Sequence, residues 1–194
     1  SGAAMAQSSV TVYGRVDLSV GSLKELDKGS QTKLFNGGDG GLTTSRLGFR
    51  GTEDLGGGLK AGFVIEHGFD PSTGTAAGTF WGRESNVYLS GGFGKITLGN
   101  MAASTAYFAT ADYISMHNHD TGNSEDKLYA YIGRNVNKVA YRLPEFVKGM
   151  SLEGAVSAGE TAANYRTYDL AWNYAIGALQ LGAGYEKNNT AKQF

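Results

Sequence analysis

Cysteine is absent from the 194 residues, proline occurs only twice, and the charges nearly cancel, with 17 Lys and Arg against 18 Asp and Glu for a net charge of −1. Each shortage excludes something. Without cysteine there is no disulfide framework and no thiolate metal or redox site. Without a basic excess, a groove for nucleic acid has no electrostatic footprint. No apolar run approaches the ~20 residues that a membrane-spanning helix needs, which excludes a helical membrane protein. A membrane β-barrel survives that exclusion, because its spans are short and half polar. An apolar content of 41% is too high for a disordered chain. The 30 glycines are about twice the ordinary share of ~7%, and they lack the every-third-residue period of collagen.

The first residues read as processing rather than fold. Ala4-Met5-Ala6 before Gln7 matches the small-x-small end of a secretory signal peptide. Residues 1–7 are therefore taken as a signal-peptide tail or an expression scar, and residues 8–194 as the folded part.

From Ser9 onward the dominant period is two. Val10, Val12, Val16, Leu18 and Val20 alternate with Thr11, Tyr13, Arg15, Asp17 and Ser19, which a helical period of 3.6 would scramble. The same alternation recurs with Leu47, Phe49 and Leu55; with Leu59, Ala61, Phe63 and Ile65; with Val87 and Leu89; and with Ile96 and Leu98. It continues through Val139 and Tyr141, then Leu152 and Val156, then Tyr168 to Tyr174, and finally Leu179 to Tyr185. The pattern predicts about nine strands and no helix. Both prolines, Pro71 and Pro144, fall between strands, where a missing N–H costs no ladder bond.

Long and short connections alternate. Lys24–Thr43, Gly68–Gly82, Asn100–Arg134 and Ala158–Tyr165 are long; Gly56–Gly58, Gly91–Gly94, Glu145–Gly149 and Ile176-Gly177 are short. An up-and-down antiparallel barrel whose rims face different places produces this pattern, whereas Greek-key sandwiches give less regular lengths. The polar face carries charge on nearly every strand: Arg15, Asp17, Arg46, Arg50, Asp54, Lys60, Glu66, Lys95, Lys138, Arg142, Glu153, Asp169 and Glu186. Two architectures accommodate this. A transmembrane barrel turns the apolar face to lipid and the charged face to a water-filled lumen, with Tyr168, Tyr174 and Tyr185 in interfacial girdles. A soluble barrel or sandwich, acting as a non-conducting binding protein, buries the apolar face instead, but a ligand pocket would be mostly apolar.

Several segments carry a family resemblance. Ser9-Val10-Thr11-Val12-Tyr13-Gly14-Arg15-Val16-Asp17 resembles the first strand of the trimeric Gram-negative general porins of the neisserial and burkholderial type. Ser45-Arg46-Leu47-Gly48-Phe49-Arg50-Gly51-Thr52-Glu53-Asp54-Leu55-Gly56-Gly57-Gly58-Leu59-Lys60-Ala61 is similar to that family's most specific segment. Gly92 to Gly99 resembles its fifth strand with the preceding turn, and Arg134 to Tyr141 its sixth, in family order. The resemblance implies an all-β, antiparallel up-and-down transmembrane barrel of about 16 strands, assembled as homotrimers in the bacterial outer membrane. The implied function is passive diffusion of small hydrophilic solutes and ions, with the lipid bilayer as partner, no nucleic acid, no cofactor and no enzymatic activity. About nine strands would leave two unpaired sheet edges, so the chain is expected to be part of a longer porin, and Phe194 a coincidental end.

The resemblance also assigns sites. Residues 100–134 match the family's constriction loop, whose acids here are Asp112, Asp120, Glu125 and Asp126. The facing eyelet arginines carry over to Arg46, Arg83 and Arg134. Periodicity agrees for Arg46, which shares the polar face with Arg50. It disagrees for Arg83, which has the parity of the outward Val87 and Leu89; either a bulge intervenes or the residue sits above its strand. Arg15, Asp17, Arg50, Lys60, Glu66, Lys138 and Arg142 are expected to line the lumen. The His117-Asn118-His119-Asp120 run could ligate a metal, but reads better as ordinary polar loop. No nucleophile motif accompanies His67, His117 or His119, and Gly56–Gly58 lacks the Lys-Ser/Thr and helix of a phosphate loop.

Overall fold

The computed structural model describes residues 9–25, 29–36, 43–101, 136–158 and 166–188. The signal-like Ala4-Met5-Ala6 lies outside the described residues, as do residues 159–165 and Phe194. Twelve strands follow one another among the described residues: β1 (Ser9–Arg15), β2 (Ser19–Glu25), β3 (Gly29–Phe35), β4 (Arg46–Gly56), β5 (Leu59–Asp70), β6 (Thr75–Ala76), β7 (Glu84–Gly91), β8 (Gly94–Asn100), β9 (Lys138–Arg142), β10 (Met150–Ser157), β11 (Thr167–Ile176) and β12 (Leu179–Asn188). There is no helix among the described residues.

The main sheet runs β1-β4-β5-β7-β8-β9-β10-β11-β12, with β6 appended to the end of β5, and every pairing is antiparallel between neighbours along this path. Those nine strands are the ones the period-two pattern predicts. The short turns β4–β5, β7–β8, β9–β10 and β11–β12 all lie at one rim, and the opposite ends of the strands lie at the other. The β4–β5 turn shows why glycine concentrates there. Gly56, Gly57 and Gly58 have φ of +84°, +62° and +81°, a left-handed run that side chains with a Cβ resist. The Asp54 carboxylate accepts the Gly56 N–H at 2.9 Å across the bulge that closes the ladder.

The first strand departs from expectation. The alternation through Val20 predicts one long strand, but β1 stops at Arg15, opposite Arg46, where its partner begins. Val16, Asp17 and Leu18 leave the sheet, and β2 pairs separately with β3, which falls inside the Lys24–Thr43 stretch expected to be loop. A knot of hydrogen bonds causes the break. Asp17 N–H donates to Ser45 Oγ at 2.8 Å, Ser45 Oγ donates to the Asp17 carbonyl at 3.1 Å, and the Asp17 carboxylate accepts Thr43 N–H at 2.9 Å. Asn36 joins it, accepting Ser45 N–H and donating to the Phe69 carbonyl, both at 2.8 Å. Asp17 is therefore a rim residue, not one of the strand positions facing the lumen as expected.

Burial is inverted relative to a water-soluble sheet. Val12 is 61% exposed and Leu170 49%, with Val10, Leu47, Val87, Leu98, Val139, Leu181 and Tyr185 also exposed on the same face. Glu66, Asn86, Lys138, Ser157, Thr167 and Asp169, all on the opposite face, are buried. Covering a large aliphatic or aromatic side chain is worth about 1.5–3 kcal/mol, against a typical net stability of about 5–15 kcal/mol. A face this apolar cannot stay bare in water. The soluble alternative would bury it, and the structure does not.

Close packing on the polar face also depends on missing Cβ atoms. The Tyr88 ring lies over Gly62, and a Cβ there would meet both that ring and the Gly51 carbonyl. Gly92, in the β7–β8 turn, has nothing within 4 Å and no positive φ. Gly62→Val in the full-length protein should lower stability by about 1–3 kcal/mol through overpacking, while Gly92→Ala should be near neutral. Urea unfolding of the detergent-solubilised protein checks this; equal midpoints for the two variants would contradict the close approach.

Candidate functional site

Strand pairing places the predicted polar residues on one continuous face. Arg15 faces Arg46, Thr11 faces Arg50, and Tyr13 faces Gly48, which faces Glu66 in turn. Further along, Asp54 faces Lys60, Lys60 faces Ser90, Ser90 faces Lys95, Lys95 faces Arg142, and Arg142 faces Glu153. Lys138 faces Ser157, and Asp169 faces Glu186. Arg15, Arg46, Arg50, Lys60, Glu66, Lys138 and Arg142 thus share the polar face, as parity requires.

Near the long-connection rim, Glu66 collects the charges. Arg83 Nε donates to Glu66 Oε1 at 2.6 Å, and Arg46 Nε lies 3.8 Å from Glu66 Oε2. Arg46 also donates to Thr43 Oγ1 at 3.0 Å and to the Thr44 carbonyl at 3.3 Å. Arg83 precedes β7, which begins at Glu84, so it sits above its strand and reaches over to the polar face. No bulge is needed, and the conflict between its parity and its assignment disappears. The local balance is positive by a single charge: Arg15, Arg46, Arg50 and Arg83 stand against Asp17, Glu66 and Glu84.

Other cations are held differently. The Arg50 guanidinium carbon is 5.2 Å from the centre of the Tyr13 ring, and Lys95 Nζ is 4.3 Å from that of Tyr88. The Thr52 and Tyr88 hydroxyls share a hydrogen bond of 2.6 Å. Arg142 Nε donates to Glu153 Oε2 at 2.8 Å on a part of the wall where Arg142 is exposed. Lys138 and Asp169 form a fully buried ion pair that spans β10 diagonally, with Lys138 only 1% exposed. Sequence reasoning missed the roles of Tyr13 and Tyr88. Tyr13 has the parity of Thr11 and Arg15, and an aromatic at a polar position was the available signal.

The apolar face carries a different cluster. His67 stacks on Phe80 with ring centres 4.2 Å apart, its Nδ1 hydrogen-bonded to the Phe80 carbonyl oxygen, and Trp81 meets Phe49, His67 and Phe80 edge-on. His67 therefore belongs to an outward aromatic cluster at the rim. Arg134, Asp112, Asp120, Glu125 and Asp126 lie outside the described residues, as do His117 and His119. Among the described residues, no group of three or more His, Cys, Asp or Glu side chains is arranged to hold a metal ion.

Comparison with known proteins agrees with this geometry. The chain is 48% identical over 111 residues to outer membrane porin protein 32 of Delftia acidovorans, covering 57% of this chain and 31% of that protein. It is 30% identical over 207 residues to the major outer membrane protein P.IB of Neisseria meningitidis serogroup B, covering 97% of this chain and 57% of that protein. The structure of an anion-selective porin from Comamonas acidovorans superposes with a TM-score of 0.68 at 29% identity, over 95% of this chain and 59% of that one. The trimer form of OmpT from Vibrio cholerae shares the fold, with a TM-score of 0.66 at 19% identity, over 93% of this chain and 51% of that one. The chain thus spans little more than half the length of the relatives it matches end to end. The antiparallel path of neighbouring strands, the apolar outside and the charged wall agree with a match to the Gram-negative porin family across residues 1–193, and the chain belongs to that family.

Proposed function

We propose that this chain forms part of the wall of a water-filled outer-membrane channel through which small hydrophilic solutes and ions diffuse passively. The observation that carries the reading is the inverted burial: apolar side chains exposed along one face, and ion pairs with polar residues along the other. In lipid the exposed face is the stable one, and the strands from β4 to β11 along the main-sheet path, which have two neighbours each, cross with their backbones hydrogen-bonded on both sides. The full-length protein would work as a homotrimer, as the family resemblance implies, and it is a passive conduit rather than an enzyme.

The constriction is proposed to form where residues 100–134, with Asp112, Asp120, Glu125, Asp126 and Arg134, turn into the lumen toward Arg46 and Arg83. Supporting this, Asn86, Lys138, Ser157, Thr167 and Asp169 are buried on a wall that water alone would leave exposed. The strand register puts Asn86, Lys138, Ser157 and Thr167 in one row across β7 to β11. The reading also favours anions over cations. It rests on the local excess of Arg15, Arg46, Arg50 and Arg83 over Asp17, Glu66 and Glu84, and one relative is named as anion-selective.

Two measurements test the proposal. The full-length protein should require detergent or lipid to stay dispersed; a soluble monomer without either would overturn the lipid-facing assignment. In planar bilayers under a KCl gradient, Arg46→Gln should lower the anion-to-cation permeability ratio by about twofold at low salt. The shift should fade as salt rises and the Debye length drops from ~10 Å at 0.1 M toward ~3 Å at 1 M. Phe49→Ala, on the opposite face, should leave the ratio unchanged and weaken packing against Trp81. Selectivity that follows Phe49 and ignores Arg46 would reverse the inside and outside of β4.

A further inference from the structure

We infer that the polar wall carries a subsite for a small sugar acid, a carboxylate borne on a polyhydroxylated body, held between Arg50 and Lys95; the inference rests on the channel reading. A cavity of about 280 Å³ opens on the polar face where β1, β4, β5, β7 and β8 run side by side, lined by Thr11, Arg50, Thr52, Val64, Tyr88 and Lys95 among others.

The state of the two cations sets this place apart. Arg46, Arg83, Lys138 and Arg142 each meet a carboxylate. Arg50 and Lys95 make no ion pair among the described residues; each lies over the face of a tyrosine, Tyr13 and Tyr88 respectively. A ring face steadies a cation without neutralising it, so both keep their charge for a ligand. The rings are themselves fixed. Tyr13 lies over Gly48, and Tyr88 lies over Gly62 with its hydroxyl bonded to Thr52. The cations are thereby ordered before any ligand arrives, which lowers the entropic cost of binding.

The chemistry of the lining names the ligand class. A guanidinium offers a planar fork that matches a carboxylate bidentately, and an ammonium adds a point charge beside it. The Thr11 hydroxyl can donate to and accept from ligand hydroxyls, and Val64 supplies an apolar spot on the cavity floor for ring C–H groups. A bare halide uses only the charge, and a neutral sugar only the hydroxyls. A sugar acid uses both.

The test is current block by glucuronate of the full-length protein in planar bilayers, with glucose and acetate as probes carrying one half of the ligand each. Glucuronate should reduce the current saturably and at lower concentration than either probe. Arg50→Gln and Lys95→Gln should each raise the half-blocking concentration about tenfold. Arg50→Lys, which keeps the charge and loses the fork, should fall between wild type and Arg50→Gln. Arg15→Gln removes a cation on the same face four residues along β1 from Thr11, roughly 13 Å away and beyond the ~10 Å Debye length at 0.1 M, and should shift block by no more than about twofold. Block by glucuronate that merely equals acetate, or an Arg15→Gln effect as large as that of Arg50→Gln, would show a diffuse field and overturn the subsite. A protein that inserts but does not conduct would overturn the channel reading itself, and the subsite with it.

Discussion

The backbone ladder from β1 to β12 is the interaction on which the rest of this structure depends. Each strand in the path hydrogen-bonds its neighbours, which in lipid is the condition for crossing at all, since an unpaired N–H or C=O there costs several kcal/mol. The ladder also forces alternation, because successive side chains on a strand point to opposite faces. One constraint on the backbone thus creates two surfaces with different solvents. Val12 and Arg50 are close in space and belong to separate environments, because Val12 pairs with Phe49 while Thr11 pairs with Arg50.

On the charged surface, the wall manages its cations in two ways. Some are tied to carboxylates: Arg83 and Arg46 to Glu66, Arg142 to Glu153, and Lys138 to Asp169. Such pairs fix position and reduce the field that the side chains present at the surface. Others lie on tyrosine rings, which leaves their field intact.

Much of this was legible in the residues. The alternation of Leu47 and Phe49 with Arg46 and Arg50 placed β4 and its two faces, and the glycine triplet at Gly56 to Gly58 marked the turn that follows. The polar parity of Lys60, Glu66, Lys138 and Arg142 carried over to the wall unchanged. The failure at Val16 to Val20 has a physical cause. Period two says that a segment is extended, but not which strand it pairs with. The partner of β1 begins at Arg46, and the Ser45–Asp17 knot turns the chain away, so Val16 to Leu18 leave the sheet and only Ser19 and Val20 of the alternating run pair, with Phe35 and Leu34 of β3. Arg83 was ambiguous for a related reason. Parity speaks only for residues within a strand, and Arg83 precedes one.

By itself, then, the sequence determined the strand class, the alternation of long and short connections, and the division of side chains into an apolar and a charged set, because these follow from local periodicity and turn chemistry. It also carried the family resemblance, in the segment from Ser45 to Ala61. Only the tertiary structure decided which charges meet. Glu66 joins Arg46 and Arg83 from two other segments, Lys138 finds Asp169 across an intervening strand, and Tyr13 and Tyr88 take up Arg50 and Lys95. Those contacts depend on register and side-chain reach between strands distant in sequence. A one-dimensional pattern holds no information about which residues on one face stand within a few ångströms of one another.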